Sequence, residues 1–254
     1  MRDCRQRLTG EPGRLTCPRG HAFDIARSGY VNLLQPQDSR SRHPGDSGVA
    51  VAARRRLHQR GVTAPLLQGI STMLQAGPLD SVLDAGCGDG YYLGSIAGQS
   101  NCAGCGVDIS RPAVEAAARK YPACRWIAAN ADRFIPWADA SFSAVMSITA
   151  RMNAPEFRRV LRSGGRLLVA IPAPDDLMEL RGKGRDRVPR TLESFSSDFD
   201  LLETGRATTT ADLDAAAVED VLHSIYRPIQ PAAATAMHLT FSLDLLLFRV
   251  IASP

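Results

Sequence analysis

The stretch Ser81-Val82-Leu83-Asp84-Ala85-Gly86-Cys87-Gly88-Asp89-Gly90-Tyr91-Tyr92 decides the reading of this 254-residue chain. It opens as a short apolar strand that closes on an acid. Three glycines follow at every second position, and a helical pattern starts at Tyr91. Glycine permits tight turning and close backbone approach to a ligand, and a helix start offers free N–H groups. Working outward, the alternation continues. Strands are predicted at 104–109, 126–129, 144–148 and 166–172, and helices at 91–97, 111–120 and 155–161. This βαβα rhythm predicts an α/β fold, a doubly wound Rossmann-like sheet with helices on both faces. Upstream, 49–57 and 65–74 read as helices. Downstream, 214–225 reads as a helix and 239–251 as a long last strand.

In such sheets ligands bind beyond the carboxyl ends of the strands. A dinucleotide loop is spaced Gly-x-Gly-x-x-Gly, so that a pyrophosphate can nest against the helix start. Here Asp84 precedes Gly86, Gly88 and Gly90. An acid there repels a pyrophosphate but accepts bonds from an ammonium. S-adenosylmethionine has an ammonium and no phosphate, so it is the expected cofactor. Asp108 closes the next strand, where a carboxylate can take the ribose hydroxyls. Asp84, Gly86, Gly88, Asp108, Ile109, Asn130 and Ala131 are the candidate cofactor residues, the last two at the adenine end. Cys87 reads as a small packing residue. The competing reading is a phosphate-binding or empty Rossmann-like domain.

Composition sets the outer bounds. With 44% apolar and 22% charged residues the chain is normal for a soluble domain with a substantial core. Its longest apolar runs, such as Leu245 to Phe248, suit buried strands and fall far short of a membrane span. Arg2, Asp3, Arg5 and Arg7 precede no apolar block, so no secretory signal is read and a cytoplasmic protein with reduced cysteines is expected. Net charge is +4, yet residues 1–60 alone carry twelve arginines against five acids. That is either an electrostatic footprint for nucleic acid or a codon preference for arginine. Arg40, Arg42, Arg54, Arg55 and Arg56 either pair with phosphates or form a solvated face.

Cys4 and the stretch Cys17-Pro18-Arg19-Gly20-His21 suggest a small zinc site, a staple for a segment without a core. A closed site needs four ligands. Cys4, Cys17 and His21 make three, and Asp24 or His43 are candidates for the fourth. Cys102 and Cys105 share Cys-x-x-Cys spacing but lead into a strand, so they read as core. Three regions are expected: a Cys/His module over 1–34, linker and helices over 35–78, and the cofactor domain over 79–254.

The motifs Cys17-Pro18-x-x-His21-x-Phe23-Asp24-x-Ala26-x-x-Gly29-Tyr30-Val31-Asn32-Leu33-Leu34, Arg40-Ser41-Arg42-x-Pro44-Gly45-Asp46-Ser47, Ala53-Arg54-Arg55, the glycine loop and Asp175-Asp176-Leu177-Met178-Glu179-Leu180 occur in this order. Together they resemble bacterial large-subunit ribosomal RNA guanine-N1 methyltransferases, both housekeeping and macrolide-resistance enzymes. The resemblance implies methyl transfer to N1 of a guanine in an RNA hairpin loop, a zinc-ribbon-like module that helps bind ribosomal RNA, and a homodimer. The chain departs from the family pattern at Met1, where a zinc cysteine would fall, at Gly61-Val62-Thr63, and at Thr149-Ala150-Arg151, where an aromatic residue is usual. Removal of the guanine N1 proton needs a base; Asp24, Asp46 and Asp132 have the chemistry, and none is assigned. Two other functions stay open: methylation of a small molecule, for which a closed apolar pocket would speak, and a cofactor-binding protein without catalysis.

Overall fold

The computed structural model describes residues 4, 6–35, 38, 45–225 and 234–251. The Ser81 stretch forms the pivot of its large sheet. Strand β5 (Ser81–Ala85) lies between β6 (Ala103–Asp108) and β8 (Phe142–Ile148), parallel to both. Strand β7 (Arg125–Ala128) continues the sheet beyond β6, and β9 (Leu161–Pro172) continues it beyond β8. Strand order therefore reverses at β5, the position at which α/β sheets open a ligand crevice. Beyond β9 the long β11 (Met237–Val250) and β10 (Phe199–Leu213) close that edge as an antiparallel pair.

Alternation along the strands builds two cores, one on each face. Val82, Ala144, Leu168 and Leu245 enter one cluster; Leu83, Val145, Leu167 and Leu246 enter the other. Each large side chain so buried contributes about 1.5–3 kcal/mol. Helices cover both faces, and their starts follow local chemistry. Ser47 Oγ accepts from Ala50 N to open α1 (Gly48–Gln59), Ser110 Oγ accepts from Ala113 N to open α4 (Arg111–Lys120), and Asp214 accepts from Ala217 N to open α8 (Ala215–Ser224). Helix α2 (Ala64–Leu74) buries Leu66, Leu67, Ile70, Met73 and Leu74, and α3 (Tyr91–Ser100) follows the glycine loop directly.

The first residues form a separate small sheet, β1 (Thr9–Glu11), β2 (Arg14–Thr16) and β3 (Ala22–Asp24), antiparallel throughout. Its strand residues are exposed or half-buried, so it has almost no core of its own. The chain then enters the large sheet: β4 (Val31–Asn32) pairs in parallel with β7 as its far edge strand.

The α/β reading holds, and each strand and helix expected from 49 to 251 is present with its ends shifted by a few residues. The strands of residues 9–32, the helices at 178–181 and 188–195 and strand β10 were not foreseen. The 15-residue β10 exposes most of one face and is rich in threonine and acids, so it lacks an apolar rhythm. Strand β4 is only two residues long. Helix α7 (Val188–Phe195) buries only Thr191 and Phe195. Cys102 and Cys105 are buried in opposite cores, as expected of packing residues.

Candidate cofactor and substrate site

The glycine loop turns through left-handed backbone at Gly86 (φ +89°), Gly88 (φ +53°) and Gly90 (φ +76°), a region that costs an L side chain free energy. Space is short as well. A Cβ on Gly86 would stand 2.3 Å from Ala150 Cβ, and one on Gly90 would stand 2.5 Å from the Trp126 ring. Gly86 N and Cys87 N both donate to Val107 O, which ties the loop to the end of β6. Cys87 is buried, and burial pushes its thiol well above the ordinary range, in line with a packing role.

Asp84 is only 1% exposed, and its Oδ1 has no hydrogen-bond partner. Burial, and then the charge of Asp108, push its carboxyl up to about 8. A buried acid without a partner is costly. A cation brought by a ligand would remove that cost, so the residue fits the ammonium of S-adenosylmethionine. Asp108 is half-buried, and loss of hydration raises its carboxyl despite two backbone bonds. Its Oδ2 accepts from Gly88 N at 2.9 Å and its Oδ1 from Ser110 N at 2.7 Å. Each oxygen keeps a second lone pair for a hydroxyl donor. Ile109 follows beside it. Asn130 and Ala131 lie beyond β7, and Asn130 is already engaged: Nδ2 donates to Asp38 Oδ1 at 3.2 Å, and Oδ1 accepts from Asp132 N at 3.1 Å. The structure thus brings all seven predicted residues to the carboxyl ends of β5, β6 and β7.

The sequence reading of this site missed the roles of Arg54, Arg56, His58, Asp38 and Gly45. Arg54, expected at RNA phosphates or on a solvated face, is instead drawn inward: Nη1 donates to Asp46 Oδ2 at 2.6 Å and Nη2 to Ser224 O at 2.9 Å. Burial opposes its charge, but Asp46, Asp89 and Asp108 outweigh burial and hold its guanidinium protonated. Arg56 likewise binds Asp220 through Nε at 2.9–3.0 Å. His58 stacks on Tyr91 at 3.8 Å between ring centroids, and its Nδ1 lies 2.6 Å from Thr63 Oγ1. Burial, then Arg54 and Lys120, lower its imidazole to about 3, so it is neutral. Asp38 and Gly45 hold the linker against the site. Asp38 also pairs with Arg133 at 2.9 Å, and Gly45 packs on Ile109 and Ser110. The pairing partners of Arg54 lie 8 and 170 residues away, beyond any local pattern. Arg40, Arg42 and His43 lie outside the described residues.

On the substrate side, Thr149 follows β8 with φ +51° and its N donates to Ala170 O. Ala150 then presses on Gly86. Asn153 Nδ2 donates to the carbonyls of Ala131 and Asp132, which ties this loop to the one after β7. Asp132 is partly exposed, 3.5 Å from Arg151. Asp46 is committed to Arg54, and Asp24 stands on the small sheet.

At the small sheet, Cys4 Sγ lies 3.5 Å from Cys17 Sγ, which lies 3.3 Å from His21 Nδ1. Burial works against the Cys17 thiolate, but bonds from His21, Arg19 and Cys4 outweigh it and bring the thiol down to about 7. Among the described residues this cluster has three members, all of a kind that binds zinc, and Asp24 is not one of them.

Comparison with known proteins follows the same division. Residues 82–169 match the model of a methyltransferase domain, and residues 4–42 match a zinc-ribbon model described as RlmA, N-terminal. The 23S rRNA (guanine(748)-N(1))-methyltransferase of Streptomyces fradiae is 34% identical over 83% of this chain and 78% of its own length. The chain belongs to the 23S rRNA guanine-N1 methyltransferase family. A Micromonospora griseorubida relative with the same guanine-N1 designation is 37% identical over 66% of this chain, which spans 62% of it. Among solved structures, the tRNA (m1A58) methyltransferase TrmI of Aquifex aeolicus superposes with a TM-score of 0.51 at 15% identity, over 74% of this chain and 69% of its own. The cyclase SpnF superposes at 0.53 and 19% identity, over 74% and 80%. These likenesses establish the class I methyltransferase fold alone, since one architecture hosts different chemistries.

Proposed function

We propose that the protein transfers the methyl group of S-adenosylmethionine to N1 of a guanine in a hairpin loop of 23S ribosomal RNA. The observation that carries the proposal is the 34% identity to the Streptomyces fradiae enzyme over 83% of this chain. The site geometry supports the cofactor half. The cofactor supplies an electrophilic methyl group on a sulfonium. In the proposed arrangement Asp84 takes its ammonium, Asp108 its ribose hydroxyls, Gly86 and Gly88 allow its close approach, and Ile109, Asn130 and Ala131 border its adenine. Transfer of this kind depends chiefly on alignment of the reacting atoms. Of the acids able to take the guanine N1 proton, Asp132 stands on the loop after β7 with an exposed ionic partner, Arg151, at 3.5 Å, whereas Asp46 is held by Arg54 at 2.6 Å.

The small-molecule reading finds little support. One cleft, about 380 Å³ between residues 26–30 and α4, is open and lined by Arg27, Arg111 and Arg119 together with Glu115, which pairs with Arg119. Such a charged lining does not suit an apolar substrate. No helix among the described residues is long and apolar enough to cross a membrane. Zinc at Cys4, Cys17 and His21 and a homodimer belong to the same proposal. The test is methyl transfer from labelled cofactor to a naked 23S hairpin, with mapping of the modified atom. Label on guanine N1 is expected; tight cofactor binding without transfer to RNA would overturn the proposal.

A further inference from the structure

The run Arg181-Gly182-Lys183-Gly184-Arg185-Asp186-Arg187-Val188-Pro189-Arg190 holds five cations and one acid. All five cations are exposed. Elsewhere the arginines near the sheet are spent on partners: Arg54 on Asp46, Arg56 on Asp220, Arg159 on Glu156, Arg166 on Asp80 and Arg206 on Asp244. Here Arg181 pairs with Asp176 at 3.8 Å, and the charge of Arg187 also acts on Asp176. Among the described residues Lys183, Arg185 and Arg190 form no salt bridge. Like charges so close repel one another, so an unneutralised run costs stability unless an anion joins it.

The run is held in place. Glu179, on the short helix α6 (Met178–Arg181), accepts from Thr240 N and Oγ1 of β11. Gly184 N donates to Pro174 O at 2.6 Å, which folds the loop back on the exit of β9. Between them lies a small cleft of about 80 Å³ lined by Pro172, Asp176, Arg181, Arg185 and Arg187. The exit of β9 adjoins that of β8 through the bond from Thr149 N to Ala170 O, and the next residue, Ala150, touches the glycine loop. The cations therefore stand on the rim that bears the cofactor site, on the side of β9.

We infer that residues 181–190 dock the phosphate backbone of the substrate RNA, with the cleft receiving one phosphate between Arg181, Arg185 and Arg187. The inference rests on the reading of RNA as substrate. Guanidinium groups offer phosphate a bidentate fork, and Gly182 and Gly184 leave the backbone open to close approach. The small sheet rises beside β7 at the opposite end of the same rim. The RNA is thus gripped on both flanks of the methyl donor.

The test is a triple variant, Lys183→Gln/Arg185→Gln/Arg190→Gln, assayed for methyl transfer to a 23S hairpin over an about fourfold range of salt, from about 50 to about 200 mM. The KM for RNA is expected to rise about tenfold. The slope of log KM against log salt is expected to fall by about 2, since each lost phosphate contact removes about 0.7–0.9. The kcat at saturating RNA and the cofactor affinity stay at wild-type values. Arg185→Lys/Arg190→Lys keeps the charges and should keep the slope. An unchanged KM, or a raised KM with an unchanged slope, overturns the inference while leaving the RNA reading intact. A wild-type protein that neither binds nor methylates RNA overturns both.

Discussion

The two flanks of the strand-end rim carry opposite charge in opposite surroundings. On the β5–β6 side, Asp84 and Asp89 are buried and Asp108 is half-buried, and their carboxyls are raised, loss of hydration being the main cause at each. On the β9 side, five cations stand in water. The first arrangement prepares a dry site for a cation and the second a wet surface for a polyanion. A small charged cofactor needs desolvated, oriented partners, whereas a phosphate backbone is held by many exposed contacts whose strength varies with salt.

The comparison can be broken most directly at Asp84. Replacing it by Asn should weaken cofactor binding about hundredfold, in the range for loss of a buried charged partner, with RNA affinity unchanged; titration calorimetry reads both. The sign for stability runs the other way. The folded carboxyl titrates at about 8 and an unfolded one near the ordinary 3.8. Stability from this group is therefore full below that lower value and lost as pH rises through about 8. The cofactor-free Asp84→Asn protein should melt higher than wild type at pH 8 and close to it at pH 4.

The same raised acidity sharpens the contrast by pH. In the proposed arrangement the Asp84 carboxylate takes the cofactor's ammonium, so affinity should climb with pH, by at most about tenfold per unit, and level off near 8. One proton should be released on binding, visible as a buffer-dependent heat. Asp108→Ala should cost about tenfold in cofactor affinity, because a hydroxyl bond to a charged acceptor contributes about 1.5–3 kcal/mol and part of it passes to water. An unchanged affinity would contradict the ribose role. The smallest effect is expected from chelation. Stripping metal from Cys4, Cys17 and His21 should weaken RNA binding several-fold and leave cofactor affinity alone, with one equivalent of zinc in the untreated protein by metal analysis.

What was legible in the sequence was local. Asp84 and the three glycines fix one another within seven residues, and Asp108 follows at the end of the next strand, so their shared place at the strand ends could be read from spacing alone. Ser224, which accepts from Arg54, and Asp220, which holds Arg56, come from α8, more than 160 residues away, and charge counting could not separate such clamps from free cations. The run at 181–190 was written plainly in the chain, but it vanishes in an average over a body whose remaining charges are mainly acidic. Strand β10 owes its existence to a ladder along the whole of β11 rather than to its own side chains.

The two residues of β4 have a consequence out of proportion to their length. Val31 and Asn32 are laced to Ile127 and Ala128, and Leu33 N adds a bond to Ala128 O at 2.8 Å. The small sheet is therefore mounted like a tool in a jig rather than tethered on a string. Its reach to the cofactor is set by backbone geometry, and the search entropy of a loose linker is spent once, at folding, instead of at every encounter with RNA.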